Sequence, residues 1–174
     1  MSAELTIDDN FESVANLIED GLWLGSEDAG QVELELLQAR GITHVLVPAY
    51  TGLQDVIKYP EHLSYYQRYV ADISDYPFLP LWPGFIERIE LAKAQGGAVL
   101  VHCAAGKSRS AALVIAYLMK SRQWDFATAL SHVRARRPQV ATKFEEQLRL
   151  WHRIQYSADH PLAPRPSKFN TDGK

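Results

Sequence analysis

Ten consecutive residues, Val101-His102-Cys103-Ala104-Ala105-Gly106-Lys107-Ser108-Arg109-Ser110, join a short apolar run to a long one. The first run, Ala98 to His102, follows Gly96-Gly97 and has the length and composition of a buried strand. The second, Ser110 to Met119, is apolar on almost every side, as in a helix enclosed by other elements. Strands and helices alternate early in the chain and helices dominate late, which suggests an α/β domain with a partly parallel sheet covered by helices.

The five residues between Cys103 and Arg109 can curl into a loop whose backbone N–H groups point inward. The loop runs into a helix N-terminus, where unpaired N–H groups and the dipole favour an anion. Gly106 allows a tight turn, and Arg109 adds a planar fork of donors matched to phosphate oxygens. The field that holds phosphate also favours a thiolate over a thiol. A lone cysteine after an apolar strand is by default a small buried hydrophobe. Cys103 leaves that class because His102, Gly106, Arg109 and Ser110 accompany it at a strand-to-helix junction. The loop Ala104, Ala105, Gly106, Lys107, Ser108 with Arg109 is therefore the candidate phosphate cradle, and Cys103 the nucleophile at its floor.

The rest of the chain agrees with an α/β domain. Ser26 is placed to cap a helix with Glu27 and Asp28 in its first turn, an apolar stripe from Val32 and Leu36, and an end at Gly41. Ile42 to Val47 reads as a strand. A helix starting near Pro83 buries Phe85, Ile89 and Ala92. Asp125 caps another that ends before Pro138. Thr142 and Glu145 form a candidate capping box ahead of Phe144, Leu148 and Trp151. These elements give a central, mostly parallel sheet of about five strands flanked by helices. Residues 1–11 read as a loose N-terminus, 12–157 as one catalytic domain, and 158–174 as a loose tail containing three prolines.

Charge narrows the function further. The net charge of -3 argues against a nucleic-acid binder. Residues 1–39 hold ten Asp or Glu and no Lys or Arg, whereas residues 121–174 hold ten Lys or Arg against five acids. No run approaches a membrane span, and no signal peptide is read at the N-terminus. The single cysteine excludes an internal disulfide and a cysteine-rich metal site, and it suits a reducing compartment, cytoplasmic or nuclear. No metal and no cofactor are expected, and a monomer is the expected state.

The run HCAAGKSRSAALVIAYLM resembles the signature of the dual-specificity phosphatases, within the cysteine-dependent protein tyrosine phosphatase superfamily. The resemblance extends from about Phe11 to Gln155. It takes in Gly21-Leu22-Trp23-Leu24-Gly25-Ser26, Gly41-Ile42-Thr43-His44-Val45-Leu46, Ala129-Leu130 and Arg136-Arg137-Pro138. It implies a phosphocysteine formed on Cys103, oxygens held by Arg109 and the loop, Ser110 assisting breakdown of the intermediate, and His102 orienting the loop. It also implies a general acid roughly thirty residues before the cysteine. Asp72, 31 positions upstream, is preferred, and Asp75, 28 upstream, is the alternative. Trp82-Pro83 is similar to the acid-loop motif of larger tyrosine phosphatases but lies too near Cys103 and is followed by Gly84. Arg137, with Arg134 and Lys143, is a candidate secondary anion site.

Lipid and glucan phosphatases of the superfamily tend to carry Lys after the cysteine or Gly before the arginine. Ala104 and Ser108 stand at those positions, which favours phosphorylated proteins as substrates, kinases among the candidates. With no docking domain in the sequence, a stand-alone, atypical member is expected. Two alternatives stay open: a phosphatase of phosphoinositides or other non-protein phosphates, and a phospho-binding module without turnover.

Overall fold

The computed structural model describes residues 10–49 and 56–157. In chain order it contains α1 (Phe11–Val14), β1 (Ala15–Glu19), β2 (Leu22–Gly25), a 3-10 turn (Glu27–Gly30), α2 (Leu34–Ala39), β3 (Ile42–Ala49) and β4 (Ser64–Tyr69). A second 3-10 turn (Leu79–Leu81) leads into α3 (Trp82–Ala94), followed by β5 (Ala98–His102), α4 (Arg109–Arg122), α5 (Phe126–Arg136) and α6 (Glu145–Tyr156). The strands form one sheet in the order β1-β2-β5-β3-β4. Among the described residues only the β1–β2 pairing is antiparallel; β2, β5, β3 and β4 all run the same way. The expected five-stranded, mostly parallel sheet is what the chain adopts.

Strand β5 lies in the middle because no residue in it needs water: all five are buried. Its side chains alternate between two cores. Val99 and Val101 join the larger core with α3, α4, α5 and α6, while Ala98 and Leu100 join a smaller one with Phe11, Ala29 and Leu37. Helix α4 is buried continuously from Arg109 to Met119, as its all-round apolar sequence requires. Helix α6 clamps it from outside, with the Trp151 indole N–H donating to the Ala116 carbonyl at 3.0 Å. Trp82 starts α3 and is fully buried, edge-on to Phe78 and Trp151. It is a core residue, in keeping with its exclusion from the acid loop.

Three local expectations change. The helix expected from Ser26 is broken into a 3-10 turn and α2. Gly30, a poor helix interior residue, ends the 3-10 turn and packs on the His102 ring, where an added Cβ would come within 2.8 Å of Nε2. The Thr142–Glu145 capping box does not form. Thr142 Oγ1 accepts instead from the Phe144 N–H at 3.2 Å, and Lys143 N–H is drawn to Ser108 Oγ at 3.0 Å, so α6 starts only at Glu145. Phe11, assigned above to the loose N-terminus, is 1% exposed and packs on Trp23 and Arg40. The remaining residues assigned to the two loose ends, 1–9 and 158–174, lie outside the described residues, apart from Asn10 in a turn. Asp125 caps α5 as expected, accepting from Thr128 N–H at 2.8 Å. No helix among the described residues is long and apolar enough to cross a membrane.

Candidate active site

Four parallel strands end on the same edge of the sheet, and each delivers part of one cleft. Glu27 follows β2; Val47 and Ala49 belong to β3; Asp72 follows β4; His102, Cys103, Ala104 and Arg109 follow β5. Val56 completes a cavity of about 310 Å³. Ligands of open α/β sheets bind at this carboxyl edge, because loops diverge there around the strand ends.

The loop after β5 is shaped from behind. Each carbonyl from Cys103 to Ser108 is claimed by a donor outside the curl. His102 Nδ1–H donates to the Cys103 carbonyl at 3.1 Å, and Glu27 N–H donates to that of Ala104 at 2.9 Å. Arg137 Nη2 and Nε donate to Ala105 and Gly106 at 3.1 and 2.8 Å. Ala141 N–H takes the Lys107 carbonyl at 3.0 Å, and Ala112 N–H takes that of Ser108 at 2.8 Å. In a trans peptide the C=O and the next N–H point opposite ways, so carbonyls held outward turn the following N–H groups inward. Among the described residues, none of the N–H groups of 104–108 donates to another protein group. The result is a concave set of donors at the N-terminus of α4, which is an anion site. Gly106 makes the curl possible: its φ is +66°, and a Cβ there would lie 2.4 Å from the Gly25 carbonyl oxygen.

Cys103 sits at the floor, 3% exposed. Its Sγ is 3.1 Å from the hydroxyl of fully buried Ser110. Arg109 is 8% exposed; its Nη1 donates to the Val70 carbonyl at 3.1 Å, while its buried Nε has no protein partner. Ala104, Ala105 and Lys107 face solvent, whereas Gly106 and Ser108 are buried. His102 is 1% exposed, and burial pushes its imidazole below the ordinary value, against the opposing bond to the Cys103 carbonyl. A neutral ring that donates from Nδ1 leaves Nε2 bare beside Gly30, which suits an orienting role.

Asp72 lines the cleft with Cys103 and Arg109, and its Oδ1 is buried without a partner. Lys143 holds it by two contacts, at 3.2 Å to Oδ2 and 3.0 Å to the main-chain carbonyl. Asp75 is exposed and does not line the cleft. Of the two candidates, Asp72 lines the cleft and Asp75 stands outside it. Gln147 of α6 fixes the same loop, accepting from the N–H groups of Phe78 and Leu79 and donating to the carbonyls of Ser74 and Tyr76.

The expectation of an Arg137 substrate site is corrected. Arg137 is 2% exposed, behind the cradle, with Nη1 donating to Asn16 at 2.9 Å and the rest of its fork on loop carbonyls. Lys143 is spent on the acid loop, and Arg134 Nε donates to the Val140 carbonyl at 3.0 Å. Sequence reasoning missed Glu27, Asn16 and Gln147. Glu27 was taken as a helix-dipole residue, and neither amide stands in any motif. Among the described residues, no group of three or more His, Cys, Asp or Glu could hold a metal ion.

A strand-loop-helix cradle with a thiol at its floor, an arginine and an aspartate lining the same cleft, on this sheet order, defines a cysteine-dependent phosphatase fold. The chain belongs to the dual-specificity phosphatase family: the family model "Dual specificity phosphatase, catalytic domain" matches residues 22–154. It is 41% identical to mouse dual specificity protein phosphatase 19 over 78% of this chain and 60% of that protein. It is 40% identical to dual specificity protein phosphatase 1 of Arabidopsis thaliana over 73% of this chain and 62% of that protein. The chain thus spans about 60% of the length of these curated relatives. Among solved structures it is similar to the human tyrosine phosphatase-like serine/threonine/tyrosine-interacting protein. That likeness has a TM-score of 0.75 and 32% identity, covering 80% of this chain and 96% of the other.

Two predictions test the cradle. Arg137→Met strands the buried Gly106 carbonyl and frees the half-buried contact to Ala105, so unfolding free energy in urea should fall by about 1–3 kcal/mol and inhibition by inorganic phosphate should weaken. A surface substrate contact would leave stability almost unchanged. For His102, the folded-state value lies below the unfolded value of about 6.5, so the unfolded chain binds the extra proton. Stability should hold above that pH and decline as pH falls below it. Denaturant melts at pH 7.5 and 5.5 should show a larger loss for wild type than for His102→Asn, and equal losses would contradict this.

Proposed function

We propose that the chain is a phosphatase that removes phosphate from tyrosine and from serine or threonine of proteins through a phosphocysteine on Cys103. The observation that carries this reading is one cleft holding Cys103 Sγ, an inward-facing N–H cradle, Arg109 and Asp72 together. The Cys103 thiolate attacks phosphorus, forming the S–P bond as the bond to the substrate oxygen breaks. That oxygen takes the proton of Asp72. The cradle and the Arg109 fork hold the equatorial oxygens, so catalysis is mainly positioning and charge stabilisation. Water then attacks phosphorus, the Asp72 carboxylate takes its proton, and the thiolate leaves with the Ser110 hydroxyl 3.1 Å away to donate to it.

The cleft walls support a protein substrate with an aryl or alkyl ester side chain. Val47, Ala49 and Val56 offer apolar contact above the nucleophile. Kinases are among the phosphoproteins that fit this chemistry. A free thiol in a chain with no second cysteine supports a reducing compartment, the cytosol or nucleus.

Phosphate release from phosphotyrosine peptides, phosphothreonine peptides and phosphoinositide vesicles, with Cys103→Ser as the blank, tests the reading. Peptide turnover is expected, with Cys103→Ser inactive yet still able to bind phosphate. Asp72→Asn should slow esters with poor leaving groups by roughly 10²–10⁴-fold and good ones far less. Turnover of vesicles alone would move the function to lipids, and binding without turnover would make the chain a recognition module.

A further inference from the structure

Among the described residues that line the cleft, Glu27 is the one whose charge opposes the ligand without an internal partner. Its backbone N–H is fixed to the Ala104 carbonyl at 2.9 Å, which ties it to the rim of the cradle. The residue is exposed and lines the same cleft as Cys103, Ala104 and Arg109. Among the described residues, its carboxylate has neither a hydrogen bond nor an ion pair. Asp28 and Asp75 are also exposed but do not line the cleft, and two other acids are matched. Asp72 is held by Lys143, and Glu19, from the same acidic stretch, is held by Lys93 and Arg122, each at 2.7 Å.

The cations of the site do not answer Glu27. Arg109 is turned to the Val70 carbonyl, Lys143 is on Asp72, and Arg137 is behind the loop. Lys107 is exposed on the loop. A carboxylate at the mouth of a dianion site repels the phosphate that the floor attracts. That repulsion is offset when the substrate itself brings a cation to the same rim. The remaining wall, Val47, Ala49 and Val56, carries no charge and cannot take that part.

We infer that Glu27 is a specificity-determining residue that selects phosphoproteins carrying an arginine or lysine close in sequence to the phosphorylated residue. The inference rests on the protein phosphatase reading above and names the substrate class within it. A guanidinium donates a planar fork to a carboxylate, so arginine is the better fit. Substrates with additional phosphates or carboxylates beside the scissile phosphate are disfavoured by the same group.

The test uses the full chain and phosphotyrosine peptides identical except at the two residues on each side of phosphotyrosine, set in turn to Arg, Ala or Glu. Each kcat/KM is divided by the same enzyme's value on p-nitrophenyl phosphate, which reads the chemistry without flanking residues. At one flanking position or more, Arg should exceed Ala by roughly two- to fivefold, the strength of an exposed ion pair. Ala should exceed Glu there, and the spread should shrink at high salt. Glu27→Gln should flatten the ranking, and Glu27→Lys should invert it; thermal melts confirm that both are folded. A flat ranking in wild type, or one that survives Glu27→Gln, overturns the inference while leaving the protein phosphatase reading intact. Turnover of p-nitrophenyl phosphate with none of any phosphopeptide overturns both.

Discussion

Six consecutive carbonyls, Cys103 to Ser108, are held away from the cleft, and the site depends on that constraint. A loop of small residues has no stiffness of its own. Left free, its peptides would turn either way, and a mixture of C=O and N–H groups would cancel as a field. Six donors from five separate places remove the choice: the His102 ring, the Glu27 backbone, the Arg137 fork, and the Ala141 and Ala112 backbones. Arg137 answers two of the carbonyls with a charge-assisted fork, which is stronger than neutral bonds. Burying that guanidinium is costly in itself, and its bonds to the loop and Asn16 are what compensate.

The second half of the site is tied to the first through the main chain. Arg109 reaches the Val70 carbonyl, two residues before Asp72. Lys143 touches Ser108 with its backbone and Asp72 with its side chain. Gln147, one turn into α6, satisfies four backbone groups of the acid loop. Asp72 lines the same cleft as Cys103, and the helix that covers the core also holds the loop that carries Asp72. Helix α6 thus contributes both to the core and to the shape of the cleft.

The sequence showed β5, the cradle and α4 because those segments have a pattern that local physics dictates: an unbroken apolar strand, a small-residue loop with one glycine, and an apolar helix. Asp125 at the start of α5 and the glycines after α2 and α3 were legible for the same reason. What escaped was tertiary. Strand β4 has no clean alternation because its residues are half-buried or exposed at the sheet edge. The break after Gly30 goes with its packing on His102, 72 positions later, and no local signal records that. Arg137 looked like a basic helix end and is a buried strut, since only the folded loop offers it carbonyls. Asp72 was separable from Asp75 by its distance to Cys103, a spacing borrowed from the family resemblance; composition alone ranks them equally.

The central claim is that the N–H groups of residues 104–109 form the anion cradle. The most direct measurement is a ¹⁵N–¹H correlation titration of the chain with inorganic phosphate. The account predicts that the amides of Ala104 to Arg109 move together, towards the shifts of stronger hydrogen bonding, and saturate at one common affinity. Phosphate that shifts the exposed α5 and α6 arginines while those amides stay in place would contradict it.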